Sequence, residues 1–204
     1  YLSSYFSALL SYDNQNNQRA LKFLNSSKFL LNKHDEFLRE YLFSLVENGE
    51  ILKGIKQIKF AKNKNSSEFF EAKLLLVIEN MKKNNFSRAK SNLLELKKFK
   101  ENGTYEYIIY ETIKSYNDLF LNDIIDSDQE NFGKLSLITS AFQNCYKNSD
   151  KTNDYFINLI NTDDGDYSRY IFFYLSNLAN EKNFDEMRNI SSSIEPLSNS
   201  LLIS

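Results

Sequence analysis

The stretch "MKKNNFSRAK", residues 81–90, decides how the chain is divided into helices. Two lysines and two asparagines interrupt an apolar pattern, and Phe86 and Ala89 then begin a second pattern at helical spacing. "VENGEILKG" (46–54) and "LANEKNFDEM" (178–187) show the same order of helix, short polar break and helix. We therefore predict a turn at 82–85 between two paired helices, the second of which starts at Phe86.

Small residues follow these breaks at a regular distance. Ala20, Gly54 and Ala89 lie 34 and 35 residues apart. A small side chain at this place allows the backbones of two crossing helices to approach closely. Thr152 and Met187 follow two later breaks and are also 35 residues apart. A period near 34 residues predicts stacked helix–turn–helix repeats.

The composition favours long helices and excludes several functional classes. Only five glycines and one proline occur in 204 residues, whereas sheet-rich proteins need many turn residues. The net charge of −2, without long blocks of like charge, lacks the basic footprint of a nucleic-acid-binding protein. The longest apolar runs, such as "LLLVI" (74–78), are too short to span a bilayer. We expect an all-α protein that neither binds nucleic acid nor crosses a membrane.

These features resemble the tetratricopeptide-repeat (TPR) family. The family pattern places a small residue in the first helix of a pair and another early in the second helix, followed by an apolar and a further small residue. In the first repeat these places hold Ala8, Ala20, Leu24 and Ser27. In the second repeat Leu42 stands where the first small residue is expected.

The resemblance implies a right-handed α-solenoid of antiparallel helix pairs, a TPR-like superhelix that forms one repeat domain over residues 1–204. We expect two repeats between Ala89 and Thr152, one of them shortened, with a turn near 116–118. The approximate repeats are 1–32, 33–66, 67–101, 102–131, 132–165 and 166–204.

In this family the first helix of each pair lines a concave groove that binds a partner. We call the corresponding residues of the first three repeats the groove positions: Leu2, Tyr5, Leu9, Tyr12, Glu36, Arg39, Phe43, Val46, Glu71, Leu74, Ile78 and Met81. The next first helix, "TYEYIIYETIKSY", offers Tyr107 and Tyr110 on one face. Tyr and Arg are enriched in interface hot spots, so the predicted partner-binding residues are Tyr5, Tyr12, Arg39, Phe43, Glu71, Tyr107 and Tyr110. The alternative is that these side chains pack between helices.

Other chemical candidates have simpler explanations. We interpret His34 as a solvated residue at a helix start and Cys145 as a small apolar residue on a buried helix face. "NTDDGD" (161–166) does not fit the ligand spacing of a calcium-binding loop and is interpreted as a turn and helix cap. The lysine-rich segment 53–64 is interpreted as the solvated side of a helix, although its spacing would also suit an acidic surface. We therefore predict no catalytic residue, no metal site and no cofactor.

The most direct function is that of a non-enzymatic scaffold that binds a protein or peptide in the concave groove. The alternative is a helical accessory domain of an enzyme, or an envelope-associated assembly factor, whose functional segment lies outside this chain. Because the sequence begins without methionine, we expect a processed chain or a fragment. Its compartment would be cytoplasmic, or periplasmic if a signal peptide was lost. The apolar end "NSLLIS" (199–204) suggests docking on a partner or self-association.

Overall fold

The regular structure is helical throughout the part of the chain that can be described. The computed structural model describes residues 1–61, 65–125, 130–160 and 168–193. Within these ranges the chain forms α-helices and short 3-10 helices, and no strand occurs. Few glycines and prolines are present to interrupt the helical spacing of the apolar residues. The prediction of an all-α chain is confirmed.

The described residues form eleven α-helices, of which α7, with 18 residues, is the longest. Their bounds are α1 Leu2–Asp13, α2 Asn17–Ser26, α3 Asp35–Glu47, α4 Ile51–Phe60, α5 Phe70–Lys82, α6 Phe86–Leu96, α7 Tyr105–Asn122, α8 Lys134–Tyr146, α9 Thr152–Ile160, α10 Ser168–Asn180 and α11 Phe184–Ser193. Short 3-10 helices follow α2, α4 and α6 at Lys28–Asn32, Asn65–Ser67 and Lys97–Phe99.

Helices that are neighbours in sequence pack on one another. The chain forms two compact units, Tyr1–Leu121 and Asn122–Ser204. In the first unit each helix from α1 to α5 contacts the helix that follows it, and in the second unit α8 contacts α9, α9 contacts α10 and α10 contacts α11. A single amphipathic helix pair cannot bury its apolar face alone, so stacking of neighbours supplies the core.

The core of the first unit continues from one helix pair to the next. One apolar cluster joins α1, α2 and α3 and includes Tyr5, Leu24 and Phe37. A second joins α3, α4 and α5 through Leu42, Ile58 and Ala72, and a third joins α5, α6 and α7. Because α3 and α5 each contribute to two clusters, the three clusters form a connected interior. In the second unit, α8, α9 and α10 share a separate cluster built around Phe156 and Tyr174.

The turns within five helix pairs have the same backbone geometry. In each turn one residue has a positive φ, and these residues are Gln15, Gly49, Asn84, Asn148 and Lys182. At the turn predicted from residues 82–85, Asn84 N donates to Met81 O at 2.9 Å and Asn85 N donates to Asn80 O at 2.9 Å. This pair of hydrogen bonds is the Schellman motif, which satisfies carbonyls at a helix end, and it recurs in all five turns.

The turn geometry gives the repeat period directly. The positive-φ residues of the first three turns lie 34 and 35 residues apart, and those of the last two lie 34 residues apart. In three turns the next residue is an asparagine whose side-chain oxygen caps the second helix: Asn16, Asn85 and Asn183. At the opening stretch α6 begins at Phe86, as predicted, whereas α5 includes Lys82, so the turn comprises residues 83–85.

The small residues that mark the first three repeats are buried. Ala20, Gly54 and Ala89 are each the fourth residue of the second helix of a pair, and the two alanines have no exposed surface. A β-carbon added to Gly54 would lie 2.8 Å from Leu42 Cδ1, which is inside van der Waals contact. Leu42, the large residue at an expected small position, therefore occupies the space that a side chain at residue 54 would need.

Two details of the sequence prediction are wrong. No turn occurs near 116–118, because α7 runs through these residues and buries Asn117 and Leu119, and neither glycine nor proline is available there to end it. Thr152 is not equivalent to Met187, because Thr152 is the first residue of α9 whereas Met187 is the fourth residue of α11. The residues that correspond to each other in these two repeats are Asn148 and Lys182, which are the positive-φ residues of their turns.

Candidate functional site

The groove positions form a surface on the first helix of each pair, which we call the first-helix surface. Of the twelve positions, only Tyr5 is buried, and the other eleven are exposed or half-exposed. Most of these eleven are apolar: Leu2, Leu9, Phe43, Val46, Leu74, Ile78 and Met81. Leu2 and Ile78 are exposed, whereas the other five are half-buried, and three of them also pack against the core: Leu9, Leu74 and Met81. The first-helix surface therefore leaves apolar side chains partly open to solvent on α1, α3 and α5, between a few polar ones.

A hydrogen bond connects the first-helix surface on α1 and α3. Tyr12 Oη donates to Glu47 Oε1 at 2.9 Å, across 35 residues of sequence. Burial and this hydrogen bond raise the pKa of Tyr12 to about 12. Tyr12 therefore keeps its proton at neutral pH, and its hydroxyl is directed toward the end of α3.

An ion pair connects the same surface on α3 and α5. Arg39 Nη2 lies 3.2 Å from Glu71 Oε1, and the two side chains are 45% and 32% exposed. The guanidinium carbon also lies 5.8 Å from the ring centroids of both Phe43 and Phe69. Stacking on two rings restricts this arginine and keeps its charge beside apolar surface. The structure thus brings together three of the predicted residues: Arg39, Phe43 and Glu71.

The other three predicted tyrosines lie in the interior. Tyr5, Tyr107 and Tyr110 are 5–6% exposed. The Tyr5 ring packs against Phe37, with ring centroids 5.4 Å apart. The ammonium group of Lys100 lies 4.8 Å from the Tyr107 ring and 5.1 Å from the Tyr110 ring. These side chains offer little area to a partner and hold the helices together.

The structure shows a feature that the sequence prediction missed, a cleft of about 420 Å³ formed by residues of α3, α5 and the segment that leads into α7. We call it the acidic cleft. Its lining includes four glutamates, two half-buried phenylalanines and one arginine: Glu68, Glu71, Glu101, Glu106, Phe69, Phe99 and Arg39. The sequence signal is two separate acidic segments, "SSEFFE" (66–71) and "KENGTYE" (100–106), which only the packing of α5 and α7 brings together.

Two buried charges on α5 were also missed. Lys73, with a 10% exposed side chain, is held by Glu68 at 2.6 Å and Glu95 at 2.8 Å. Glu79, with an 8% exposed side chain, accepts from Lys59 at 2.5 Å and from Lys83 at 2.6 Å. Burial opposes ionisation of Glu79, but its two lysine partners outweigh burial and lower its pKa. The pairs with Lys59 and Glu95 tie α5 to α4 and to α6.

The lone histidine lies at the surface, whereas the lone cysteine is half-buried. The exposed His34 ring lies 5.4 Å from the Tyr5 ring. Cys145 is half-buried, and its thiol donates to Asn177 Oδ1 at 3.3 Å. Burial, together with the charge of Glu181, raises the pKa of Cys145, which favours the protonated thiol at neutral pH.

The remaining candidate segments are only partly described. Lys53 pairs with Glu50 and Lys59 with Glu79, while residues 62–64 of the lysine-rich segment lie outside the described residues. The acidic loop 161–166 and the apolar end 199–204 also lie outside them. Among the residues that are described, no group of three or more His, Cys, Asp or Glu side chains could hold a metal ion. None of the described helices is both long enough and apolar enough to cross a membrane.

Comparison with known proteins gives no relative from which a function can be transferred. Protein-family models, curated proteins and solved structures all yield no match to this chain. The function must therefore be inferred from the side chains of the chain itself.

Proposed function

We propose that the chain is a TPR-like repeat protein that binds a protein or peptide partner along the first-helix surface and catalyses no reaction. In this proposal the helix pairs are antiparallel and stack as a right-handed α-solenoid, with residues 1–204 forming one repeat domain. The recurrence of the same turn at intervals of 34 or 35 residues supports this arrangement. The packing of consecutive helices from α1 to α6, and from α8 to α11, supports it as well.

The observation that carries the binding function is the exposure of the groove positions. Apolar side chains at these positions are exposed or half-exposed on three successive first helices, α1, α3 and α5. Phe43 and Ile78 are such residues, and Ile78 is 44% exposed. Exposed apolar side chains next to an ordered arginine are typical of a protein-binding surface.

The order of the polar side chains also supports binding. Arg39 is restrained by Glu71 and by two aromatic rings, so less conformational entropy is lost when a partner binds than for a free arginine. Tyr12 is fixed in the same way by Glu47. Preorganised Arg and Tyr side chains contribute more binding free energy than mobile ones of the same type.

Selection of peptides on the full-length chain tests the proposal. A phage-displayed random peptide library is enriched on the wild-type protein, and the dissociation constants of the selected peptides are measured by fluorescence anisotropy. The double variant Phe43→Gln/Ile78→Gln is expected to weaken binding about tenfold or more, because central apolar contacts dominate interface energies.

The matched control changes the same residue types on a second helix. Ile51 and Phe60 of α4 are 44% and 81% exposed, so Ile51→Gln/Phe60→Gln removes equivalent side chains away from the first-helix surface. This control is expected to leave the affinity within about twofold of wild type. Equal losses in both double variants, with unchanged thermal unfolding, would reject the assignment of the binding surface.

A further inference from the structure

We infer that a second copy of the chain docks through its acidic second unit on a basic surface formed by α4 and α6. This inference goes beyond the proposed function, because it concerns the second helices and not the first-helix surface. Charge complementarity identifies the partner. Residues 1–121 contain 19 lysines and arginines against 14 acidic residues, a net charge of +5, whereas residues 122–204 contain 6 against 13, a net charge of −7.

The basic surface lies on α4, on α6 and at the turn between α5 and α6. α4 contains three lysines and no acidic residue, and α6 contains two cations and one acidic residue, Glu95. All seven cations of the surface are exposed: Lys53, Lys56, Lys59, Lys82, Lys83, Arg88 and Lys90. The second helices of the first unit therefore present a continuous supply of positive charge to solvent.

Acidic side chains of the same region neutralise only part of the basic surface. Glu50 pairs with Lys53 at 2.7 Å, and Glu79 is shared by Lys59 and Lys83. The other acidic residues of segment 51–100 pair with cations outside the surface: Glu68, Glu71 and Glu95. Four cations of the surface have no ion pair among the described residues: Lys56, Lys82, Arg88 and Lys90.

Arg88 lies in a cleft that suits a carboxylate. Residues of α4, α5 and α6 line this cleft of about 390 Å³, and its cations are Lys59, Lys83 and Arg88. Glu79 already binds the two lysines, whereas the guanidinium of Arg88 is not part of any of the ion pairs in the described chain. A guanidinium can donate two parallel N–H groups to one carboxylate, and such charge-assisted hydrogen bonds are stronger than neutral ones. The cleft therefore offers Arg88 to an aspartate or glutamate of a partner.

The second unit carries the opposite charge on its second helices. Asp154 lies in the first turn of α9, and Asp185 and Glu186 lie in the first turn of α11. These three carboxylates have no ion pair within the described ranges. The residue four places after the positive-φ residue of the turn is Lys53 in α4 and Arg88 in α6, but Glu186 in α11. Equivalent places in the repeat are therefore basic in the first unit and acidic at the end of the second.

The acidic side chains of the second unit lie near one another, and we call them the acidic face. Burial and the negative charges of Glu186, Glu181 and Asp154 raise the pKa of Tyr174 to about 12, so carboxylates from three elements act on one hydroxyl of α10. The acidic face comprises Asp150, Asp154, Glu181, Asp185 and Glu186. The cations in the same segments are fewer: Lys151, Lys182 and Arg188. The acidic face therefore keeps an excess of negative charge.

Two copies of the chain supply both sides of this contact. The whole chain has a net charge of only −2, so the overall repulsion between copies is small while the two surfaces attract each other. The attraction acts between exposed side chains and is screened by salt, because the Debye length falls from about 30 Å at 0.01 M to about 3 Å at 1 M. Self-association should therefore depend strongly on ionic strength.

Sedimentation velocity of the full chain tests this inference. At an ionic strength of about 0.01 M, the weight-average mass should rise above that of the monomer as the protein concentration increases. At about 1 M salt the dissociation constant should be at least about tenfold larger. Dependence on protein concentration shows that the contact forms between copies.

Charge reversal on each surface locates the contact. Lys56→Glu/Arg88→Glu reverses the charge of two cations of the basic surface, and Asp154→Lys/Glu186→Lys does the same on the acidic face. Each double variant alone should associate at least about tenfold more weakly than wild type, because like charges then meet. An equal mixture of the two variants should associate again, since each surface meets one of opposite charge.

A matched control separates the contact from the effect of net charge. Lys28→Glu/Lys33→Glu changes the net charge by the same amount as Lys56→Glu/Arg88→Glu, at two exposed residues after α2 that lie outside the basic surface. Its dissociation constant should stay within about threefold of the wild-type value.

Four results would overturn the inference. These are a chain that stays monomeric at low salt, association that is unchanged at high salt, equal losses in the basic-surface variant and its control, and a mixture of the two charge-reversed variants that stays monomeric. None of them decides the peptide test with Phe43 and Ile78, so the proposed function and this inference can fail separately.

Discussion

The contact between Gly54 and Leu42 allows a quantitative test of helix packing. In a helix interior, alanine is more favourable than glycine by about 1 kcal/mol. A methyl group at residue 54 would, however, lie 2.8 Å from Leu42 Cδ1, whereas carbon atoms prefer separations of about 3.5–4.0 Å. Leu42 is only 2% exposed and packs in the cluster with Ile58 and Ala72, so it has little freedom to move.

We expect the Gly54→Ala substitution to destabilise the protein by about 1 kcal/mol. Overpacking costs roughly 2 kcal/mol, which exceeds the gain in helix propensity. In a Leu42→Ala background the clash is gone, and Gly54→Ala should stabilise the protein by about 1 kcal/mol. The coupling free energy between the two positions is therefore about 2 kcal/mol, measured by urea unfolding of the four proteins of a double-mutant cycle.

A second cycle with Leu45 serves as the control. The added methyl group would lie 4.0 Å from Leu45 Cβ, an atom that Leu45→Ala retains. The coupling between Gly54→Ala and Leu45→Ala should therefore be within about 0.5 kcal/mol of zero. The packing explanation is refuted if Gly54→Ala stabilises the wild-type protein, or if both cycles give the same coupling.

Three further predictions concern the turns, a buried charge and the cysteine. Gly49→Ala should destabilise the protein by about 1 kcal/mol in urea unfolding, because φ is positive at residue 49 and alanine is strained there. Lys182→Gly should stabilise the protein by a similar amount, because it relieves the same backbone strain. Unchanged stability in either variant would show that the positive φ causes no strain at that turn. Glu79→Gln should cost about 1 kcal/mol at neutral pH. The pKa of Glu79 is lowered in the folded state, so the stabilisation of the fold by this carboxylate is present above its unfolded pKa and is lost as pH falls through its folded pKa. The difference in urea midpoint between wild type and variant should therefore disappear at strongly acidic pH. A difference that stays constant with pH would exclude the ion-pair explanation. Cys145 should react more slowly with a disulfide reagent at pH 8 in the folded chain than in urea, because its pKa is raised, and equal rates would show that burial does not protect the thiol.

The parts of the fold that depend on local sequence could be predicted. The turn before Phe86 and the start of α6 at this residue follow from polar residues between two apolar helical patterns, and both are confirmed, with the turn one residue shorter than predicted. The repeat interval of 34 or 35 residues could also be predicted, because it is the summed length of two short helices and their turns, which are all visible in the local sequence. The turn expected near 116–118 failed because polar residues alone do not end a helix when packing buries one of them, here Asn117.

The candidate site could be predicted only in part, because burial depends on which helices meet. The exposure of Phe43 and the pairing of Arg39 with Glu71 are compatible with the groove positions. The burial of Tyr107 and Tyr110 could not be predicted from a tyrosine-rich helix whose neighbours were unknown. The acidic cleft depends on Glu71 and Glu106, which lie on different helices.

The recurring turn has a consequence for the kinetics of folding. Its hydrogen bonds span only three to five residues, and consecutive helices pack on one another from α1 to α6 and from α8 to α11. Proteins whose contacts are local in sequence fold in microseconds to milliseconds, because little loop entropy is lost before contacts form. A helix pair such as α5–α6 can therefore assemble early, with Asn84 and Asn85 already in place. Substitutions in these turns should slow folding, whereas substitutions between pairs should mainly accelerate unfolding.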